Sequence, residues 1–183
     1  MPEKTLTQFI DEYENFCNEG RKHNIQVEEF STYMRKNLAK LVDECTDENG
    51  ILDLCDSRIF FEGAFYEEGK KPEEKINIPE IIISAPIKII PKKMFFHSKV
   101  EKVILPDGLK EIGESAFHHC ESLKEINLPD SLEKIGGHAF NDCKSLKEIN
   151  LPDSLEKISV FAFSYCESLK EINLPDGLKE IGE

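Results

Sequence analysis

One stretch of 23 residues sets the pattern for the second half of this chain: Leu123-Lys-Glu-Ile-Asn-Leu-Pro-Asp-Ser-Leu-Glu-Lys-Ile-Gly-Gly-His-Ala-Phe-Asn-Asp-Cys-Lys-Ser145. Near copies begin at Leu146 and Leu169, and Val100 begins an earlier copy with small changes. A fixed period in this range is typical of stacked supersecondary units that bury their apolar faces against one another. The sequence therefore predicts a solenoid, in which each coil is stable only when a neighbour covers it.

Each copy has the form L-x-x-I-x-L-P-x-x-L-x-x-I-x-x-x-A-F-x-x-C-x-x. The segment L-x-x-I-x-L alternates near its end as a strand does, and the proline ends it. A second short extended piece, L-x-x-I, follows the proline turn. Stacking at the strand spacing of about 4.8 Å would join the Leu, Ile, Ala, Phe and Cys columns into one core. We therefore predict 23-residue coils with short parallel strands.

This motif resembles the BspA-type, or treponemal-type, leucine-rich repeat. The apolar positions, the proline and the Ala-Phe…Cys group recur in phase over Val100–Glu183, and weaker echoes cover roughly 59–99. The resemblance implies a leucine-rich-repeat solenoid. It also implies a protein-binding role, such as adhesion to a host or matrix protein, and a cell-surface or secreted location.

The chain divides into three predicted regions: an N-terminal helical cap over 1–56, degenerate leading repeats over 57–99, and regular repeats over 100–183. Amphipathic patterns over 5–19 and about 26–45 predict a helical hairpin. Such a hairpin would cover the open end of the stack, because solenoid ends need a cap. The predicted fold class is accordingly α+β.

The leading repeats match the motif imperfectly. Ile76-Asn-Ile-Pro79 echoes Ile126-Asn-Leu-Pro129, and Ile87–Phe95 echoes the stretch that ends at Phe140. Pro79 lies farther from Phe95 than Pro129 lies from Phe140. This alignment predicts an insertion that is looped out near Ile81–Pro86.

Charge and hydropathy exclude several classes of partner. The net charge of −13 provides no basic surface for nucleic acid or for an anionic membrane. No apolar run is long enough to cross a bilayer. The N-terminus has mixed charges and no apolar core, so we predict no secretory signal. The default expectation is a cytoplasmic location, with surface display or secretion as the alternative that the family resemblance implies.

No pattern in the sequence predicts catalysis, a cofactor or a metal. The Cys120, Cys143 and Cys166 column is interpreted as buried thiols, because side chains from successive coils point in parallel. A metal site at His118, His119 and His138 is not expected, since two of these histidines are adjacent in sequence. The aspartates that follow each repeat proline are ordinary turn residues rather than calcium ligands.

Two other columns are interpreted as structural. Asn127, Asn150 and Asn173 are expected to form hydrogen bonds along the stack. Charged residues alternate in sign between coils, which favours in-register stacking at a solvated face. The predicted pairs are Lys110 with Glu133, Glu111 with Lys134, Glu156 with Lys179, and Lys157 with Glu180.

Candidate contact residues are those at which the repeats differ, because a position required by the fold repeats. They flank the Ala-Phe group, and we call them the variable strip: His118, His119, His138, Asn141, Asp142, Val160, Phe161 and Tyr165. Aromatic side chains are enriched in protein interfaces. The sequence leaves two interpretations open, neutral drift or selection for a protein contact.

Two functions follow from these patterns. The first is a non-enzymatic module that binds a protein or an extended peptide across several coils. The alternative is a structural spacer or a self-assembling array within a larger protein. Leu178 and Ile181 would lack a covering coil, which predicts either a longer array or self-association through this end.

Overall fold

A computed structural model of the chain describes residues 51–54 and 79–182. Both predicted helices, over 5–19 and 26–45, lie outside these residues, so the helical cap stays a prediction. The described residues form strands and turns without a helix, and therefore contain no helix that could span a membrane.

Nine short strands form within the described residues. They are β1 (Ile51–Asp53), β2 (Glu80–Ile82), β3 (Ile89–Ile90), β4 (Lys102–Ile104), β5 (Glu111–Ile112), β6 (Glu125–Asn127), β7 (Lys134–Ile135), β8 (Lys157–Ile158) and β9 (Glu180–Ile181).

The strands assemble into two parallel sheets, one on each side of the proline turn. One sheet has the order β1-β2-β4-β6, and the other has the order β3-β5-β7-β8-β9. Val103 pairs with Ile126, and Ile112 pairs with Ile135, so each residue meets its copy in the next coil. This register confirms the predicted solenoid of coils of about 23 residues with short parallel strands.

The predicted insertion at Ile81–Pro86 is wrong. Ile81 pairs with Val103, and the buried Ile83 and Ala85 continue the core of this coil. Ile81, rather than Ile76, therefore occupies the column of Ile126. The error arose because the Ile-Asn-Ile-Pro motif resembles the later repeats, whereas the true strand carries no proline at that place.

A stack of phenylalanine rings fills the centre of the solenoid. The centroids of Phe95, Phe117, Phe140 and Phe163 are separated by 5.1, 5.3 and 5.4 Å in succession. The ring planes of neighbours lie within 11° of parallel. Burial of each ring depends on the coils above and below, since a ring contributes its hydrophobic free energy only when both faces are covered.

The cysteine column lies beside the phenylalanine stack, as predicted. The Cys143 thiol donates to the carbonyl oxygen of Phe117 at 3.2 Å, and the Cys120 thiol donates to that of Phe95 at 3.0 Å. Burial raises the pKa of the Cys143 thiol well above its usual value. Both side chains are reduced thiols that pack as small apolar groups and donate a hydrogen bond to a backbone carbonyl.

The surface columns also follow the sequence pattern. All four predicted ion pairs form between successive coils, for example Lys134 Nζ with Glu111 Oε1 at 2.8 Å. The Asn127 side chain accepts a hydrogen bond from the backbone N–H of Leu105 at 2.9 Å. Asn127 therefore connects two coils through the backbone rather than through an amide ladder.

Candidate interaction site

The third side of each coil is a turn segment around the Ala-Phe group. Alternate N–H groups of this segment donate to the next coil, as Phe117 does to Ala139 O at 2.8 Å and His119 to Asn141 O at 2.8 Å. The intervening N–H groups close turns within their own coil, as Ala116 does to Gly113 O. These bonds between coils align the variable-strip residues of one coil with those of the next.

Two residues of each turn segment, four positions apart, lie in the left-handed region of backbone space. Their φ values lie between 55° and 60°, and they are Lys93, His97, Ser115, His119, His138, Asp142, Phe161 and Tyr165. A left-handed conformation costs a residue with a Cβ about 1–2 kcal/mol, and glycine or asparagine is the usual occupant. Histidine and aspartate, which occupy this region more often than most residues do, hold four of the eight positions, and Lys93, Ser115, Phe161 and Tyr165 hold the other four.

A continuous row of rings runs along this side of the solenoid. We call it the ring row: Phe96, His97, His119, His118, His138 and Phe161. His97 stacks on His119, and His119 stacks on His118, with both centroid separations 4.3 Å. His138 lies 5.8 Å from His118 and 5.2 Å from Phe161. Side chains from four successive coils thus form one surface.

The structure brings most of the variable strip together and gives its members different surroundings. Val160, Phe161 and Tyr165 are 47%, 51% and 71% exposed, which is high for large apolar side chains. Asn141 is buried, and its Nδ2 lies 3.3 Å from Nδ1 of His138. Asn141 therefore orients His138, whereas the other three side chains are available to a partner.

Sequence reasoning missed two members of the ring row, Phe96 and His97. They follow Phe95 as His118 and His119 follow Phe117, so they occupy the same two columns one coil earlier. The signal was present in the sequence. It was overlooked because this coil was treated as degenerate and its variable positions were not compared with the others.

The electrostatics of the ring row favour a neutral imidazole at His118. Partial burial, followed by the neighbouring His119 and His138, lowers the pKa of His118 to about 4. Nδ1 of His119 lies 3.6 Å from Oδ2 of Asp142, whose carboxylate comes from the next coil. Among the described residues, His118, His119 and Asp142 bring three potential metal-ligand atoms within 4.8 Å of one another.

A second surface, the shallow groove over the β4–β6 sheet, is a weaker candidate. Its lining is made of residues that repeat from coil to coil, including Lys102, Lys124, Glu125, Asn127 and Lys147. Lys102 and Lys124 form ion pairs with the preceding coil. The composition of this groove is thus explained by the stacking of the coils.

Residues 73–183 match the family described as the BspA type leucine rich repeat region, in six copies. The chain belongs to this family. The motif and the coil geometry both agree with that assignment, and such repeats typically carry no catalytic site. A search of curated proteins finds no match.

Solved structures of bacterial leucine-rich-repeat proteins are similar to this BspA-type chain. A protein from Bacteroides ovatus is 28% identical with a TM-score of 0.50, over 67% of this chain and 36% of that one. The T. pallidum leucine rich repeat protein is 25% identical with a TM-score of 0.48, over 72% of each chain. A leucine rich cell surface protein from Faecalibacterium prausnitzii is 20% identical with a TM-score of 0.45, over 67% and 38%. This chain spans about a third of the length of the Bacteroides ovatus protein.

Proposed function

We propose that the protein is a non-enzymatic binding module whose ring row and exposed strip residues hold a protein or an extended peptide. The observation that carries the proposal is the exposure of two aromatic side chains on neighbouring turns of one segment, since Phe161 is 51% and Tyr165 is 71% exposed. Exposed aromatic side chains of this size are typical of protein interfaces.

The chemistry of the surface suits a protein partner. Tyrosine and phenylalanine supply large rigid contact areas, and tyrosine is a common residue at binding hot spots. Val160 and Phe161 are adjacent exposed apolar residues, and Tyr165 follows in the same turn segment. Four coils at the strand spacing extend about 14 Å, which is the length of a four- or five-residue extended peptide. Adhesion, as the family resemblance implies, would be one use of such a surface.

The test compares the partners retained by three immobilised proteins. The strip variant carries Phe161→Asn and Tyr165→Asn, which remove the aromatic rings and keep a residue that tolerates positive φ. The control carries Lys147→Ala and Glu148→Ala in the groove over the first sheet. We expect proteins from an extract of the source organism that bind the wild type and the control to be depleted at least tenfold on the strip variant. Equal retention on all three proteins would contradict the proposal.

Self-association is a second candidate. In the last coil, Leu174 and Ile181 are 54% and 61% exposed, and β9 is the outer strand of its sheet. Exposed apolar residues beside an outer strand are a known route to pairing between chains. Light scattering over a hundredfold range of concentration tests this candidate. A constant monomer mass would exclude it, and a mass that rises toward that of a dimer and falls in an Ile181→Lys variant would support it.

A further inference from the structure

Two histidines of the ring row and one neighbouring aspartate bring potential metal-ligand atoms close together. His118 and His119 follow Phe117 in one coil, and Asp142 follows Phe140 in the next. Their ligand atoms all lie within 4.8 Å of one another. The sequence argued against a metal here because two histidines are adjacent, but it could not show that a carboxylate from the next coil completes the group.

We propose that His118, His119 and Asp142 form a binding site for a divalent transition-metal ion, with Zn²⁺ as the physiological candidate. Two imidazole nitrogens and one carboxylate oxygen are a ligand set that zinc accepts. Calcium and magnesium are disfavoured, because they require about six oxygen ligands and the site offers one carboxylate. Three protein ligands leave a coordination position for water or for a group from a partner.

The backbone fixes the spacing of the proposed ligands. The N–H of His119 donates to Asn141 O at 2.8 Å, and the N–H of Asp142 donates to Ser164 O at 2.9 Å. Both residues occupy the left-handed positions of their turn segments. The coils therefore hold His119 and Asp142 side by side, and Nδ1 and Oδ2 are already 3.6 Å apart. Tetrahedral zinc places neighbouring ligand atoms about 3.4 Å apart, given metal–ligand distances near 2.1 Å.

Binding requires a rotation of one imidazole. The His118 and His119 rings stack at 13°, so their in-plane lone pairs do not meet at one point. Both side chains are partly exposed, and a turn of one ring about its χ2 bond would exchange its stacking contact for a metal bond. Metal binding at this site would separate the two stacked rings.

A nearby lysine does not block the site. Lys144 Nζ lies 3.8 Å from Oδ1 of Asp142, but it lies only 2.8 Å from Oε1 of Glu121. The closer carboxylate offsets its charge. Oδ2 of Asp142, the atom nearer to His119, is the one that would bind the metal.

The test is a calorimetric titration of the full chain with Zn²⁺ at pH 7.5, repeated with variants that suit positive φ. We expect saturable one-to-one binding in the wild type, weakened by more than about tenfold in His119→Asn and in Asp142→Asn. Tyr165→Asn, in the same column of the following coil, is the matched control and should bind as the wild type does. Circular dichroism of each variant verifies that it folds.

A second measurement identifies the donor atoms and distinguishes this site from metal binding by cysteine thiolates. A Co²⁺ complex with nitrogen and oxygen ligands shows visible d–d bands without a thiolate charge-transfer band, and NMR should show the His118 ring protons shifting as the stack opens. Absence of saturable binding, unchanged affinity in both variants, or a thiolate band would each overturn the site. The titration contains no partner, and adding a chelator to the partner experiment removes any metal from it, so the two proposals fail independently.

Discussion

The rings of Phe117 and Phe140 lie face to face, with centroids 5.3 Å apart and planes 1° apart. Phe140 also stacks on Phe163 in the following coil. The Phe140→Ala substitution would remove both contacts and leave a cavity in the middle of the array. We expect a loss of about 3–5 kcal/mol in the free energy of unfolding, measured by urea denaturation. A loss below about 1 kcal/mol would mean that the neighbouring coils collapse around the cavity or that the stack contributes little.

Two adjacent glycines provide a matched pair for a packing prediction. A Cβ on Gly136 would lie 2.7 Å from the backbone nitrogen of Glu114, whereas a Cβ on Gly137 would approach nothing closer than 3.4 Å. We expect Gly136→Ala to destabilise the protein by about 1–3 kcal/mol because backbone must move. Gly137→Ala should be neutral or stabilising by about 0.5 kcal/mol, since alanine restricts the unfolded chain. Thermal unfolding of the two variants compares them directly, and equal effects would contradict the proposed clash.

Backbone strain at the variable strip should lower the free energy of unfolding, and substitutions that relieve it should raise that free energy. Phe161 has a φ of 55° and is half exposed, so its side chain contributes little to the core. We expect Phe161→Asn to raise the free energy of unfolding by about 0.5–1 kcal/mol by relieving the left-handed strain. Val160→Asn is the control, because Val160 is similarly exposed but is not among the positive-φ residues. If Val160→Asn raises the free energy of unfolding as much as Phe161→Asn does, the cause is the loss of an exposed apolar side chain and not the relief of strain.

The histidine cluster predicts a dependence of stability on pH. The pKa of His118 is lowered to about 4, chiefly by partial burial and then by His119 and His138, while Asp142 opposes this shift and Lys93 adds to it. Its neutral form is favoured in the folded state, so the unfolded chain takes up the proton first as the pH falls below about 6.5. We expect stability to be fully present above that pH and to decrease by about 1 kcal/mol between pH 6.5 and 4, after allowance for solvent screening.

Urea denaturation across this pH range, in the presence of a chelator, measures the effect. The His118→Gln variant should lose this part of the pH dependence, because glutamine does not titrate. A pH profile identical to that of the wild type would show that other groups, and not His118, cause the decrease.

Thiol reactivity distinguishes the members of the cysteine column. Burial raises the pKa of Cys143 well above its usual value, and that of the less buried Cys166 to about 11. Alkylation requires the thiolate and access to it. We expect Cys166 to react with iodoacetamide at pH 8 several times faster than Cys143, as measured by peptide mass spectrometry. In urea the two should react equally, and equal rates in the native protein would contradict the burial of Cys143.

The repeat sequence contained most of the information needed for the fold. A 23-residue period with fixed apolar columns has one arrangement that buries every column, so the register and the ion pairs such as Lys134 with Glu111 followed from alignment alone. The coil at Ile81 could not be placed in this way, because its strand lacks the proline that marks the others. The sequence around Ile76 resembles the later repeats and so was aligned with them. The three-dimensional register shows instead that Ile81 pairs with Val103.

The candidate site was predicted as a set of residues but not as an arrangement. Differences between repeats selected His118, His138 and Phe161, which the structure joins in the ring row. The sequence could not show that two residues of each turn segment, four positions apart, take a positive φ, since no glycine or asparagine marks these positions. Nor could it show that Asp142 reaches His119, because the distance depends on how neighbouring coils stack.

The bonds that join one coil to the next have a mechanical consequence. The Cys143 thiol reaches Phe117 O, 26 residues earlier, and Lys144 reaches Glu121, 23 residues earlier. Pulling on one end of the described repeats would therefore load the outermost of these coils first, because such bonds join neighbouring coils. Each release would free 23 residues, or about 80 Å of extended chain. Under tension the regular part of the protein would unfold one coil at a time and lengthen in steps of equal size.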